Sequence, residues 1–277
     1  MPETSVNRNA TRRRAATALA ATALVGDVAR RLARPAIPVM PVKGALLQHW
    51  LYDDPTERPL TDVDLLVPPE DFQRAVQQLE SAGYREAGRS SVGAIVMRTP
   101  LGITLDLHPR LFDRARYRLP TDELFVRSTE DHALFGASVR LPSPLDVYAH
   151  LIGKFGSDHL DMRSAARLEE IARMSSRLAA TPETVAQHLV HCGMRRVGRY
   201  ALPLVYGATG DAFARQVHDR LPFDPVGRGI VELANLVLAG ATPRSRSAAV
   251  MAHALNESLP RGIRSGLRAM LERTPER

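Results

Sequence analysis

Cysteine is almost absent from this 277-residue chain. A single thiol, Cys192, excludes an internal disulfide and any cysteine-built zinc cluster, and it fits a reducing, cytoplasmic compartment. No apolar run reaches the roughly 18–20 residues that a membrane-spanning helix needs. Aromatics make up only 5% of the residues, too few to suggest a surface on which nucleic-acid bases stack. Lysine is scarce too: of 37 basic residues only Lys43 and Lys154 are lysines. A lysine in such a chain hints at a place that wants a compact ammonium rather than a planar guanidinium fork.

What remains is the composition of an ordinary globular protein, with 44% hydrophobic and 24% charged residues. The net charge of +7 is spread among acids, and only Arg12–Arg14 forms a contiguous basic run. That pattern suits a solvated basic surface, or a weak attraction to a phosphate-rich substrate, better than a nucleic-acid platform. The arginine run and the Ala/Leu stretch to Val25 resemble a twin-arginine export signal. No small-residue cleavage site follows, however, and Asp27, Arg30 and Arg31 interrupt the apolar stretch. Leu19, Ala23, Val28 and Leu32 recur at helical spacing, so a folded first helix is expected.

The expected organisation is a disordered tail over 1–12, a small mixed α/β domain over 13–141 and a helical domain over 142–277. The fold class is α+β. In the first domain a helix over 14–33 should end before Pro35. The stretch Ile37–Val42, with two prolines, reads as an edge strand or its approach. A helix opens at Gly44 and closes at Asp53–Pro55. Thr61–Val67 reads as a strand, 69–82 as a helix stopped by Gly83, and 93–99 with 103–108 as a hairpin around Gly102. After an irregular stretch and a strand-like Ser138–Leu141, the chain turns helical. Breaks are expected near Gly156, Pro182, Gly193, Gly207, Pro222–Pro225, Pro243 and Pro260.

Three features of the first domain carry chemistry. Lys43-Gly44 opens a helix, where backbone N–H groups favour phosphate. Asp62-Val63-Asp64 lies on a strand, whose alternation turns both carboxylates to one face. Asp106 sits mid-strand on the polar side of Thr104–His108, opposite the apolar Ile103, Leu105 and Leu107. Should these strands be neighbours, three carboxylates converge. Like charges at about 4 Å repel by roughly 4 kcal/mol at an effective dielectric of 20. A divalent metal removes that repulsion, and magnesium prefers hard carboxylate oxygens.

The segment Val39–His108 resembles the DNA polymerase β-like nucleotidyltransferase superfamily. Within it, the likeness is to a bacterial, largely uncharacterised branch with Lys-Gly as its first motif. Val42-Lys43-Gly44-Ala45-Leu46-Leu47, Leu51–Pro55, Arg58, Thr61–Val67 and Leu105-Asp106-Leu107-His108 carry it, with looser similarity through Leu141–Asp146 to Glu170–Arg173. Pro109 departs from the branch, which often has tryptophan there.

The resemblance implies a two-metal enzyme using Mg2+ or Mn2+. It would move a nucleoside monophosphate from a nucleoside triphosphate, ATP by default, to an acceptor, with release of pyrophosphate. Asp62 and Asp64 would bind the metals and the triphosphate. Asp106 would bind the second metal and help to deprotonate the acceptor hydroxyl. Lys43 and the Gly44 backbone would contact phosphate.

Arg58 either grips a phosphate or is a surface arginine in a turn. Lys154 either reaches the β- or γ-phosphate or is a solvated lysine. His108 either orients Asp106 or a metal-bound water, or is a hydrogen-bonded structural histidine. The acceptor is not written in the sequence: a small molecule, a peptide, a protein or RNA would each serve. Two other classes stay open, a catalytically silent nucleotide- or partner-binding module on the same fold and a basic nucleic-acid-binding protein.

Overall fold

The computed structural model describes residues 5–90, 93–113, 116–157, 164–240 and 246–256. The expected breaks at Pro243 and Pro260, and the first four residues of the expected tail, lie outside these segments. The chain divides into two compact units. One comprises residues 1–111 with 120–143, and the other residues 112–119 with 144–277.

The first unit is built on a five-stranded mixed sheet of order β1-β2-β5-β4-β3. Its strands are β1 (Met40–Val42), β2 (Asp62–Leu66), β3 (Arg85–Arg89), β4 (Ile95–Arg98) and β5 (Thr104–His108). Only β2 and β5 pair in parallel; the other neighbours are antiparallel. Their alternation divides the sheet into two faces. Val63, Leu65, Leu105 and Leu107 are wholly buried with Ile95 and Met97, under helices α1 (Ser5–Ala33) and α3 (Phe72–Ser81). From those helices come Leu24, Val25, Val28 and Leu32, and Phe72, Val76 and Leu79. Fully burying each such side chain is worth roughly 1.5–3 kcal/mol. The opposite face of the two parallel strands carries Asp62, Asp64, Asp106 and His108.

Helix α1 begins at Ser5, well before the expected residue 14. It closes through the Ala36 N–H to Ala33 O and the Ile37 N–H to Leu32 O, with Ala36 left-handed at φ 56°. β1 is an edge strand bearing Pro41, where the missing N–H costs least. Several elements of this unit had no sequence signal. β3 has largely exposed charged side chains, and α4 (Thr121–Arg127) lies in the stretch read as irregular. A two-stranded sheet, β6 (Thr129–Asp131) with β7 (Val139–Leu141), completes the unit.

The second unit is helical among its described residues: α5 (Pro144–Ser157), α6 (Ala165–Ser175), α7 (Pro182–His191), α8 (Arg195–Thr209), α9 (Ala212–Arg220), α10 (Pro225–Gly240) and α11 (Arg246–Ala254). Gly156 is a packing position, because a Cβ there would run into Val197 of α8. Gly207 breaks nothing. Helix α8 passes through it and stops at Gly210, whose φ of 74° only glycine adopts cheaply. No helix among the described residues is long and apolar enough to cross a membrane.

Candidate functional site

The parallel pairing of β2 with β5 sets Asp64 directly opposite Asp106, and Asp62 opposite Thr104. Asp62 lies two residues from Asp64, so all three carboxylates share one face of adjacent strands. The antiparallel pairing of β1 with β2 sets Val42 opposite Asp64. The chain therefore leaves β1 beside that carboxylate, and the next residue is Lys43.

Lys43 has a backbone no ordinary side chain prefers, with φ 52° and ψ −127°, and it stands at the N-cap of α2 (Gly44–Leu51). Such a conformation costs on the order of 1–3 kcal/mol in a residue other than glycine. Its ammonium forms an ion pair with Asp64 Oδ1. The same oxygen lies 2.8 Å from His108 Nε2. An ionised carboxylate only accepts, so His108 must donate through Nε2–H. That leaves its buried Nδ1 with no hydrogen-bond partner among the described residues. His108 thus holds Asp64 by a hydrogen bond, and no described hydrogen bond joins it to Asp106, which one of its readings had it orient.

The two acids facing each other have opposite electrostatics. Burial resists ionisation of Asp64, but the hydrogen bond from His108 and the charge of Lys43 outweigh it and hold the carboxyl down at about 2. Burial, and then the charges of Asp64 and Asp62, push the Asp106 carboxyl above its ordinary value. Asp106 makes no hydrogen bond or ion pair with a described residue. Asp64 thus carries the bonded ammonium, with Asp106 opposite it and Asp62 two residues along the same strand face.

This arrangement suits a divalent cation. Asp64, Asp106 and His108 present ligand atoms that all lie within 4.8 Å of one another. Carboxylate oxygens are what magnesium and manganese take, and the unmatched charge on Asp106 is the kind a bound cation relieves.

Arg58 and Gly44 are also brought together. The Arg58 Nη1 lies 3.0 Å from where a Cβ on Gly44 would sit, and the Leu60 side chain fills the rest of that space. Gln48 donates to the Arg58 carbonyl at 2.6 Å and so ties this loop to α2. Sequence reasoning passed over Gln48, whose only signal is a polar side chain beside His49 in a largely apolar helix. Lys154 belongs to α5 in the second unit, where it is half-buried.

No curated protein matches the chain. Among solved structures, it is similar to an antigenic nucleotidyltransferase-like protein from Paracoccidioides brasiliensis. The identity is 17% and the TM-score 0.48, over 73% of this chain and 94% of that one. Residues 2–205 match the family described as uncharacterised nucleotidyltransferase, and the chain belongs to that family.

Proposed function

We propose that this protein transfers a nucleoside monophosphate from a nucleoside triphosphate, ATP by default, to an acceptor hydroxyl or phosphate. The acceptor oxygen attacks the α-phosphorus, the bond to the bridging oxygen breaks, and pyrophosphate leaves. The observation that carries this reading is the register pairing Asp64 with Asp106, in a family of nucleotidyltransferases.

Asp62, Asp64 and Asp106 would hold Mg2+, or Mn2+ in its place. When bound, the metal offsets negative charge on the triphosphate and on the reacting oxygens. The protein's own groups do the rest. Asp106, set opposite Asp64 on the adjacent strand, accepts the proton of the attacking hydroxyl. His108 fixes Asp64 through Nε2–H. The first backbone N–H groups of α2 and the Arg58 guanidinium offer donors to phosphate oxygens, and Lys43 keeps N–H donors beyond the one spent on Asp64. Most of the rate enhancement then comes from positioning and electrostatics, with no covalent intermediate on the protein. The proposed phosphate contact by Lys154 rests on the sequence alone, and Lys154→Met tests it through the KM for nucleotide.

Pyrophosphate release with Mg2+, ATP and a panel of small-molecule, peptide, protein and RNA acceptors is the direct assay. Asp64→Asn and Asp106→Asn should each lower turnover by at least about 100-fold with unchanged circular dichroism. Full turnover in either variant would sink the assignment. Nucleotide binding without pyrophosphate release across the panel would favour a silent binding module.

A further inference from the structure

We infer that the Lys43 ammonium holds a cation position at Asp64 that a second divalent ion would otherwise take, so that without nucleotide the chain takes up a single divalent ion. The inference rests on the nucleotidyltransferase reading above and concerns how that site is charged.

The first support is where the ammonium sits. Asp64 Oδ1 accepts from both Lys43 Nζ and His108 Nε2. A carboxylate oxygen has two lone pairs, so these two donors occupy it fully. What is left for a metal is the other Asp64 oxygen, together with the carboxylates of Asp62 and Asp106. A cation seated on Oδ1 would have to evict the lysine.

The second is that the lysine is built into its place rather than resting there. Val42 is held opposite Asp64 by the β1–β2 ladder, and the next helix starts at once with Gly44, Ala45, Leu46 and Leu47 all buried. Lys43 spans this junction at a positive φ that glycine would adopt without strain. A lysine kept at a glycine-favouring position points to a use for its side chain. This is one of only two lysines among 37 basic residues.

The third is charge. Three carboxylates less one ammonium leave two negative charges, which one divalent ion neutralises. A second resident ion would overcharge the cluster before any triphosphate arrived.

Mn2+ binding to the nucleotide-free full chain, followed by electron paramagnetic resonance and calorimetry, tests the inference. The wild type should bind one ion. Lys43→Gly, which keeps the backbone conformation, should bind two, or bind the first about tenfold more tightly. Lys43→Arg, which keeps the charge, should stay at one. If Lys43→Gly lacks a native melt, Lys43→Met takes its place. Two ions on the wild type, two on Lys43→Arg, or identical binding by wild type and Lys43→Gly would overturn the inference. With any of these, or with no Mn2+ binding at all, continued pyrophosphate release means that the inference alone has failed. Loss of both Mn2+ binding and pyrophosphate release means that the nucleotidyltransferase reading has failed with it.

Discussion

Two aspartates anchor charged clusters in this protein, one in each unit, and they end differently. Asp64 in the sheet unit and Asp224 in the helical unit have side chains only 8% and 11% exposed, and both are held below the ordinary aspartate value. Asp224 is surrounded by donors. Arg195 Nη2 and Arg196 Nε reach it at 3.0 and 3.2 Å, and the Gly227 backbone N–H adds another. Arg196 also donates to the Asn256 carbonyl at 2.9 Å, so this cluster joins α8 to the end of α11. Here the acid is outnumbered by cations. Around Asp64 the balance is reversed, because Asp62 and Asp106 add negative charge to a site with one bonded ammonium. A cluster that exists to hold a fold together closes its charge within the protein. One that leaves an acid unmatched, at a cost to the folded state, is arranged for something that arrives later.

The largest expected effect on stability comes from breaking the closed cluster. Asp224→Ala takes the carboxylate from two guanidinium groups, one of them almost wholly buried, and should cost about 3 kcal/mol in chemical denaturation. The loss should be the same with and without Mn2+, and turnover per folded molecule should not change. The acid limb gives a second check. The folded Asp224 carboxyl lies below its ordinary value of 3.8, owing first to the Gly227 N–H and then, against burial, to Arg196 and Arg195. Its stabilisation is therefore complete above about that value and is lost as pH falls through the folded one. Asp224→Asn should melt with a shallower acid limb than wild type. If Asp224→Ala is nearly as stable as wild type, the closed cluster is not what holds α8 to α11.

Much of this contrast could be read from residues, and part could not. The carboxylate face was legible because strands have a period of two. Asp62 and Asp64 had to share a face, and Asp106 interrupted an apolar alternation where an acid needs a reason. The partnership of β2 with β5 was an assumption until the ladder set Asp64 against Asp106. β3 went unseen because Arg85–Arg89 has no buried alternate positions for a pattern to reveal. The ion pair of Lys43 with Asp64 depends on the β1–β2 register and on a backbone angle, neither of which local propensity encodes. The partnership of His108 with Asp64 was hidden for the same reason: β5 sets His108 two residues from Asp106 on one face, and the β2–β5 ladder brings it diagonally to Asp64.

The smallest effect is the sharpest test of the comparison, because its sign is unusual. Asp106→Asn keeps the shape of the side chain and removes a charge that the metal-free cluster does not compensate. Burial and the charges of Asp64 and Asp62 all oppose ionisation of Asp106, so its anion costs folding free energy at neutral pH. The variant should therefore be more stable than wild type in the presence of a chelator. A gain of roughly 1 kcal/mol would raise the melting temperature by about 2–4 °C. Saturating Mn2+ should reverse the order. The wild type then gains about 2.7 kcal/mol at a hundredfold excess over its dissociation constant, a gain the variant forfeits with its ligand. A catalytically dead protein would thus be the more stable one until the ion is supplied. Should Asp106→Asn melt at or below wild type in chelator, Asp106 is a stabilising group like Asp224, and the open cluster is not open.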